Sequence, residues 1–525
     1  MALLSPTQPC TPPTFPSISL FGAEILQVEA SVVTNYSFPI PKGWRYSQPA
    51  INVQNATFCN VTVSYTHPGQ NDTVVAETWL PVEDWNGRLQ SIGGGGWVAG
   101  RFVLTYAGML GALRDGYVTA TTDGGVGSDS SPPLWGLNSP GNLNLVALDD
   151  LGQTSLNDLS IISKQVIDNY YGQAPSFSYW NGCSQGGRQA ATLAQQFPTA
   201  YDGIIAAAPA LYWAELAVGS SWPPFYMDLT QQYPRNCELT YLTTLAIDIC
   251  DGLDGVVDGL IAEPELCLQL FDASDYVGDS FYCSDTESNM ILSSAAGAVA
   301  QATWTGPRFS NGDFMWYGYE IGSDLAAVAG TTCAANGTCV PSGRETLAFW
   351  YTECVLKNPG ANVTTLTHAQ YDTMFQTLKK VFASSMEAAE PGLFEFSNAG
   401  GKMITYHGLA DPSITPGSTL HYYKEVNSMV GNVTGFYRYY RVPGLGHCWG
   451  GNGGQPDALF DQLRLWVEND TAPVASLVEV TLSSNATQTQ IICPYPQRAV
   501  FQPSCANRTT EPLDCWSCKG EGSFE

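Results

Sequence analysis

In the first 210 residues, short runs rich in β-branched and aromatic residues alternate with longer segments of helical periodicity. Thr73–Leu80, Leu89–Ile92, Tyr117–Thr122, Phe177–Asn181 and Gly203–Ala207 read as strands, and Asp150–Tyr171 and Gly187–Gln196 as helices. Such alternation predicts an α/β class chain with a largely parallel sheet covered by helices on both faces. The pattern breaks from about Pro209 to Glu395, where seven cysteines, scattered Trp and Tyr and frequent Gly/Pro/Asn turns predict an irregular region. It then returns: Lys402–Tyr406 and Phe436–Val442 read as strands and Asp457–Glu468 as an amphipathic helix. The expected organisation is a discontinuous main domain, residues 1–208 and 396–525, with an inserted domain, 209–395, between its halves.

Composition is consistent with two packed units. A chain of 525 residues exceeds what one hydrophobic core usually organises, and 44% hydrophobic with 12% aromatic residues excludes a disordered or fibrous chain. The 21 Lys and Arg against 48 Asp and Glu leave a formal charge of −27, which repels nucleic acid and points to solubility in an acidic or salty fluid. Fifteen cysteines indicate an oxidising compartment. Sequons at Asn35, Asn55, Asn60, Asn71, Asn336, Asn362, Asn432, Asn469, Asn485 and Asn507 agree with a eukaryotic secretory route and with N-glycans. The start, MALLSPTQPC, has neither the basic residues nor the apolar run of a signal peptide, so the expectation is a signal already removed and a Met restored. No apolar run is long enough to predict a transmembrane helix.

The chemistry begins at Phe177-Ser-Tyr-Trp-Asn-Gly-Cys-Ser-Gln-Gly-Gly-Arg188, where Gly182-x-Ser184-x-Gly186 joins a strand to a helix. Glycines on both sides permit the sharp turn of a nucleophile elbow, which projects the serine oxygen from the sheet and aims the next amide at a developing oxyanion. A serine hydroxyl needs an imidazole to take its proton and a carboxylate to orient that imidazole. Of five histidines, His67 precedes the expected sheet, His368 lies in the insertion, and His407 and His421 sit in a strand end and a helix, where structural roles are common. His447, in the glycine-rich Pro443-Gly-Leu-Gly-His-Cys-Trp-Gly-Gly451 after the last strand, is the candidate base, and Asp411 in His407-Gly-Leu-Ala-Asp-Pro-Ser413 is the candidate acid. The order Ser, acid, His is that of the α/β-hydrolase fold, in which the insertion would form a lid.

Cys183 precedes the serine and Cys448 follows the histidine. If they bond, their Cα atoms stand about 6 Å apart and the two catalytic candidates are drawn together, although spacing alone leaves connectivity open. The run Ser91-Ile-Gly-Gly-Gly-Gly-Trp97 follows the expected third strand, where the oxyanion hole of this fold takes its second amide; Gly95 or Gly96 would act with the amide of Gln185. A phosphate-cradling loop is the rival reading, but no Lys-Ser/Thr follows.

Taken together, Gly-Cys-Ser-Gln-Gly-Gly-Arg, His-Gly-Leu-Ala-Asp and Gly-His-Cys resemble the tannase and feruloyl esterase family of fungi, which also includes bacterial monoester hydrolases, over about Cys10 to Cys515. The resemblance implies a secreted serine carboxylesterase with the triad Ser184, Asp411 and His447, a Cys183–Cys448 bond beneath it and a lid that recognises a phenolic acid. It also implies a structural Ca²⁺ in Cys250-Asp-Gly-Leu-Asp-Gly-Val-Val-Asp-Gly-Leu260, held by Asp251, Asp254, Asp258 and the carbonyls of Val256 and Leu260. Hard oxygen donors around glycine turns suit that ion, although the loop is not an EF-hand. Further implied pairs are Cys250–Cys267, Cys10–Cys59, Cys333–Cys339 and Cys493–Cys515; Cys237–Cys283 is a pairing read here from the residues, with Cys354, Cys505 and Cys518 left over.

The segment Trp304-Thr-Gly-Pro-Arg to Trp316-Tyr-Gly resembles feruloyl esterases more than tannases, which favours hydroxycinnamoyl over galloyl esters. Trp213, Trp222, Tyr226, Trp316, Tyr317, Phe349 and Trp350 of the insertion are candidates for stacking on the phenolic ring. An inactive carbohydrate-binding protein on the same scaffold and a serine peptidase are the competing readings.

Overall fold

The computed structural model describes residues 3–128, 131–344, 348–482, 486–502 and 512–520; Asn485, Asn507 and Cys505 lie outside them, as does the side chain of Trp350. Nine strands build one sheet: β1 Glu24–Ile40, β2 Ile51–Thr66, β3 Val74–Pro81, β4 Arg88–Ile92, β5 Val118–Thr122, β6 Phe177–Cys183, β7 Gly203–Ala207, β8 Lys402–Gly408 and β9 Tyr437–Val442. They lie in the order β1-β2-β3-β5-β4-β6-β7-β8-β9. β1, β2, β3 and β5 pair antiparallel in turn, and from β5 through β9 every pairing is parallel. This is an α/β-hydrolase sheet with one additional N-terminal strand, β1.

The central strands are apolar on both faces because helices cover both. On one side Leu156, Leu159, Ile162 and Val166 of helix Ser155–Tyr171, Leu193 of helix Gln185–Gln196 and Val426 of helix Pro416–Val430 join one apolar cluster. On the other, Met109 and Leu110 of helix Val103–Arg114 join a second cluster, and Leu459, Leu463 and Trp466 of helix Leu459–Asn469 a third. β5 and β7 accordingly have no exposed residue, the mark of strands enclosed by two helical layers.

Two expectations are corrected. The sheet starts two long strands earlier than predicted: β1 leaves most of its residues exposed, so it carries no continuous apolar face to read. Nor is the inserted stretch irregular. The chain leaves the sheet after Ala207 and re-enters at Lys402, and between them run helices Trp213–Thr230, Asn236–Cys250, Ser294–Thr305 and His368–Phe382. The first contains Pro223 and Pro224 and is buried nearly all round, which removes both its propensity signal and its periodicity.

Disulfides join Cys10–Cys59, Cys183–Cys448, Cys237–Cys283, Cys250–Cys267 and Cys333–Cys339. The expected Cys493–Cys515 pair is corrected to Cys493–Cys518. In the hairpin of Arg498–Phe501 with Trp516–Lys519, Cys518 faces Ala499 near the start of the first strand, whereas Cys515 hydrogen-bonds Gln502 beyond its far end. Cys354 is a free, buried thiol. No helix among the described residues is long and apolar enough to cross a membrane.

Candidate active site

Ser184 occupies the turn between β6 and helix Gln185–Gln196 with φ 63° and ψ −119°, a backbone conformation unfavourable for any side chain. The surroundings over-determine it: its amide donates to Ala207 O (3.0 Å), and its carbonyl accepts from the amides of Arg188 (2.9 Å) and Ala210 (3.2 Å). The flanking glycines are required by space. A Cβ on Gly182 would lie 2.4 Å from Gly186 O, and one on Gly186 would lie 2.8 Å from Gly94 O. The turn thus packs against the glycine-rich loop after β4, bringing the two amide-rich segments side by side.

Asp411 follows β8 and is fully buried. Its Oδ1 accepts from the amides of Ser413 (2.7 Å) and Ile414 (3.0 Å); its Oδ2 accepts from His447 Nδ1 (2.7 Å) and His407 Nε2 (3.0 Å). Burial alone would raise its pKa, but the two imidazoles outweigh it and hold the carboxyl well below the usual carboxylate range. Burial favours neutral His447, and Asp411 overcomes this too, raising the imidazole above its ordinary value. With Nδ1–H held by Asp411, Nε2 of His447 is the nitrogen left to meet a ligand.

The Cys183–Cys448 bond closes the assembly, with Cα atoms 6.0 Å apart across 265 residues of sequence. Cys448 also has a positive φ of 63°. Its carbonyl is held by Gln455 Nε2 (3.1 Å), which also reaches Tyr46 O (2.6 Å), and by Tyr406 Oη (3.3 Å). Ser184 and His447 line one cavity of about 380 Å³ with Gly96, Gln185, Trp97, Trp213, Leu216, Ala217, Ser220, Ser413 and Ile414.

Of the amides considered for an oxyanion, that of Gly95 donates to Val98 O (3.2 Å) and is already used. Gly96 makes no such bond among the described residues and lines the cavity. Gln185 is the first residue of its helix, so its amide has no intrahelical acceptor.

Residues 59–515 match the model of the family described as tannase and feruloyl esterase. The chain belongs to the tannase and feruloyl esterase family. Its members are carboxylic ester hydrolases. It is 33% identical to a probable feruloyl esterase of Arthroderma benhamiae, over 90% of this chain and 88% of that one. It is 28% identical to a tannase of Aspergillus oryzae, over 88% and 86% of the two chains. The solved tannin acyl hydrolase of Aspergillus niger superimposes with a TM-score of 0.85 at 28% identity, covering 99% of this chain and 96% of that one.

In this esterase the loop considered for calcium is a tight turn whose ends are tied by Cys250–Cys267. Asp251 Oδ1 accepts from the amides of Asp258 (2.9 Å) and Leu260 (3.3 Å), Asp254 Oδ1 from Val256 (2.9 Å), and Asp258 Oδ2 from Gln490 Nε2 (2.6 Å). Burial and the neighbouring carboxylates push Asp254 up to about 6 and raise Asp258 as well. No Lys or Arg pairs with any of the three among the described residues, so the donor set and its uncompensated charge fit a hard divalent cation.

Sequence reasoning missed two residues of this esterase. His407 is a second donor to Asp411: its Nε2 faces two acceptors, Asp411 Oδ2 (3.0 Å) and Ile414 O (3.1 Å), so that nitrogen carries a proton, and its Nδ1 lies 2.8 Å from Thr419 Oγ1. Arg188 is completely buried and, among the described residues, has no carboxylate partner. It donates to Gln185 Oε1 (2.8 Å), Gly152 O (2.8 Å) and Leu151 O (3.0 Å), and burial lowers its guanidinium to about 9. The Gly-Gly-Arg run after the serine was the available signal. Of the insertion aromatics, Trp213 reaches the cavity, Trp222 packs with Phe225 and Tyr371, and Trp316 and Tyr317 pack around His421. Trp97, edge-on to Trp213 at 4.9 Å, comes from the glycine loop.

Two outcomes are expected. In NMR titration His447 protonates above 6.5 in the wild type, and in Asp411→Asn it falls below, because only the lowering effect of burial remains. Cys183→Ala/Cys448→Ala loses roughly 2–5 kcal/mol of stability in denaturant titration and at least about tenfold in esterase kcat/KM while still folded, as 1.4 kcal/mol of lost positioning corresponds to tenfold.

Proposed function

We propose that the protein is a secreted serine esterase that cleaves hydroxycinnamoyl esters, of the feruloyl type, from plant cell-wall sugars or small alcohols. The observation that carries the substrate reading is the cavity at Ser184. Trp97, Trp213, Leu216 and Ile414 offer apolar walls, and Ser220 and Ser413 are the hydroxyls available to a distant phenol. A feruloyl group has an apolar vinyl spacer and one phenolic hydroxyl beside a methoxyl; a galloyl group needs partners for three adjacent hydroxyls, and burying them unpaired is costly. The relatives' names include both activities.

In this reading His447 Nε2 takes the Ser184 proton as the oxygen attacks the ester carbonyl. The amides of Gln185 and Gly96 receive the developing oxyanion. The alcohol departs with the proton from His447, and water, deprotonated by the same nitrogen, releases the acid from Ser184. Asp411 stays ionised throughout, consistent with its lowered pKa.

We further propose that Asp251, Asp254 and Asp258 with the carbonyls of Val256 and Leu260 hold a structural calcium ion, which supplies charge neutralisation to the loop. Leu260 packs against Gly444 of the segment carrying His447, so the loop supports the base. Exposed sequon asparagines such as Asn35, Asn55 and Asn432 are the proposed glycan sites.

Three results are expected. Ser184→Ala abolishes turnover, by about 10⁴-fold or more, with an unchanged circular dichroism spectrum. The wild type hydrolyses methyl ferulate with a higher kcat/KM than methyl gallate; the reverse order would place it with the tannases. Chelation followed by dialysis lowers Tm by a few degrees, reversibly on adding Ca²⁺, since an ion at 100-fold above its Kd stabilises by about 2.7 kcal/mol.

A further inference from the structure

Away from the catalytic cavity, the turn that follows β2 carries His67 and Asp72, and both face the start of helix Ser155–Tyr171. His67 Nδ1 lies 2.6 Å from Asp72 Oδ2 and 3.8 Å from Asp150 Oδ1, and Nε2 lies 3.2 Å from Asp158 Oδ2. Asp72 Oδ1 is anchored by the His67 amide (2.9 Å) and Thr66 Oγ1 (3.0 Å), and Asp158 Oδ2 by Tyr65 Oη (3.2 Å). Asp150 differs from these: it is 1% exposed, and neither of its carboxylate oxygens has a hydrogen-bond partner among the described residues.

We propose that His67, Asp72 and Asp150 form a binding site for a divalent cation of the Zn²⁺ or Mn²⁺ type, with Asp158 holding the far side of the imidazole. One ligand atom from each of the three lies within 4.8 Å of the other two, close to the spread of donors arrayed around an ion at ~2.0–2.2 Å. Buried charges are ordinarily paired or coordinate a metal. Even a protonated His67 leaves three carboxylates with one positive charge, and no Lys or Arg forms an ion pair with Asp72, Asp150 or Asp158 among the described residues. An imidazolium satisfies Asp72 and Asp158 through its two N–H groups and has none left for Asp150. A nitrogen donor among carboxylates selects a borderline ion over Ca²⁺ or Mg²⁺, and Asp158 on the other ring nitrogen is the carboxylate–histidine–metal arrangement that orients a ligating imidazole.

The site has a structural connection to catalysis. Asp150 opens the wide helical turn Asp150–Thr154, whose Leu151 and Gly152 carbonyls receive Arg188, the residue that holds the side chain of Gln185. An ion at Asp150 would fix this turn to the β2–β3 connection.

The test uses the full chain, stripped with chelator and saturated with Ca²⁺ so that the Asp251 loop is occupied. Calorimetric titration with ZnCl₂ and with MnCl₂ should show one equivalent bound, and Tm should rise with either ion. Asp150→Asn should weaken binding at least tenfold and remove the metal-dependent rise, while melting no lower than the wild type in metal-free buffer, since a buried charge has been deleted. His67→Gln should weaken binding similarly. Crystals of the wild-type protein soaked in ZnCl₂ should show an anomalous peak between His67 and Asp150. No uptake by the Ca²⁺-loaded wild type, uptake unchanged in Asp150→Asn, uptake lost only in Asp258→Asn, or an anomalous map without that peak would each overturn the proposal.

Discussion

The site depends on one covalent constraint placed beside two unfavourable backbone conformations. Ser184 and Cys448 both have φ near 63°, and the disulfide runs from the residue before Ser184 to Cys448 itself. Neither turn would hold this geometry in isolation, because each costs free energy that local sequence does not recover. The sheet supports one through Ala207, and Gln455 and Tyr406 support the other. The bond then ties the two turns together, so the separation of Ser184 and His447 is set by the cross-link as well as by the packing of the surrounding loops. This places precision where catalysis is sensitive to displacements of an ångström.

Electrostatics complete what the covalent frame begins. Asp411 is buried yet accepts four hydrogen bonds, two from amides of its own turn and two from imidazoles. A buried carboxylate so satisfied stays charged and immobile, and therefore fixes both the tautomer and the direction of His447. His407 does for Asp411 what Asp411 does for His447: it restricts orientation by bonding the same oxygen that holds His447. The result is a chain from Thr419 through His407 and Asp411 to His447, ending at the cavity.

Much of this was legible along the chain, for reasons that differ by residue. Gly182, Ser184 and Gly186 reveal themselves because a sharp turn leaves no room for side chains, and Asp411 and His447 because they follow the last strands of a parallel sheet in a set order. His407 was not legible. Its partner lies only four residues away, but the contact exists because the chain leaves β8 in a turn rather than a helix, and that is known only after folding. β1 was missed because an exposed outer strand needs no apolar face, and helix Trp213–Thr230 because burial on all sides erases periodicity while Pro223 and Pro224 imitate a loop. Cys515 and Cys518 are three residues apart, and only the register of the C-terminal hairpin distinguishes them.

The parallel pairing of β7 with β8 joins Ala207's strand to one that begins only at Lys402. During synthesis β7 is therefore the outer edge of the sheet, apolar on both faces, until the whole intervening segment has been made. At ~5–20 residues per second that interval lasts roughly 10–40 s, and non-local parallel pairings of this kind are intrinsically slow to form. Meanwhile Cys183 waits for a partner, Cys448, that is not yet translated, in the presence of cysteines of the intervening segment that emerge earlier. The order in which the ribosome delivers the two halves thus leaves Cys183 open to pairing with Cys237, Cys250 or Cys267 before Cys448 exists, a hazard the finished fold no longer shows.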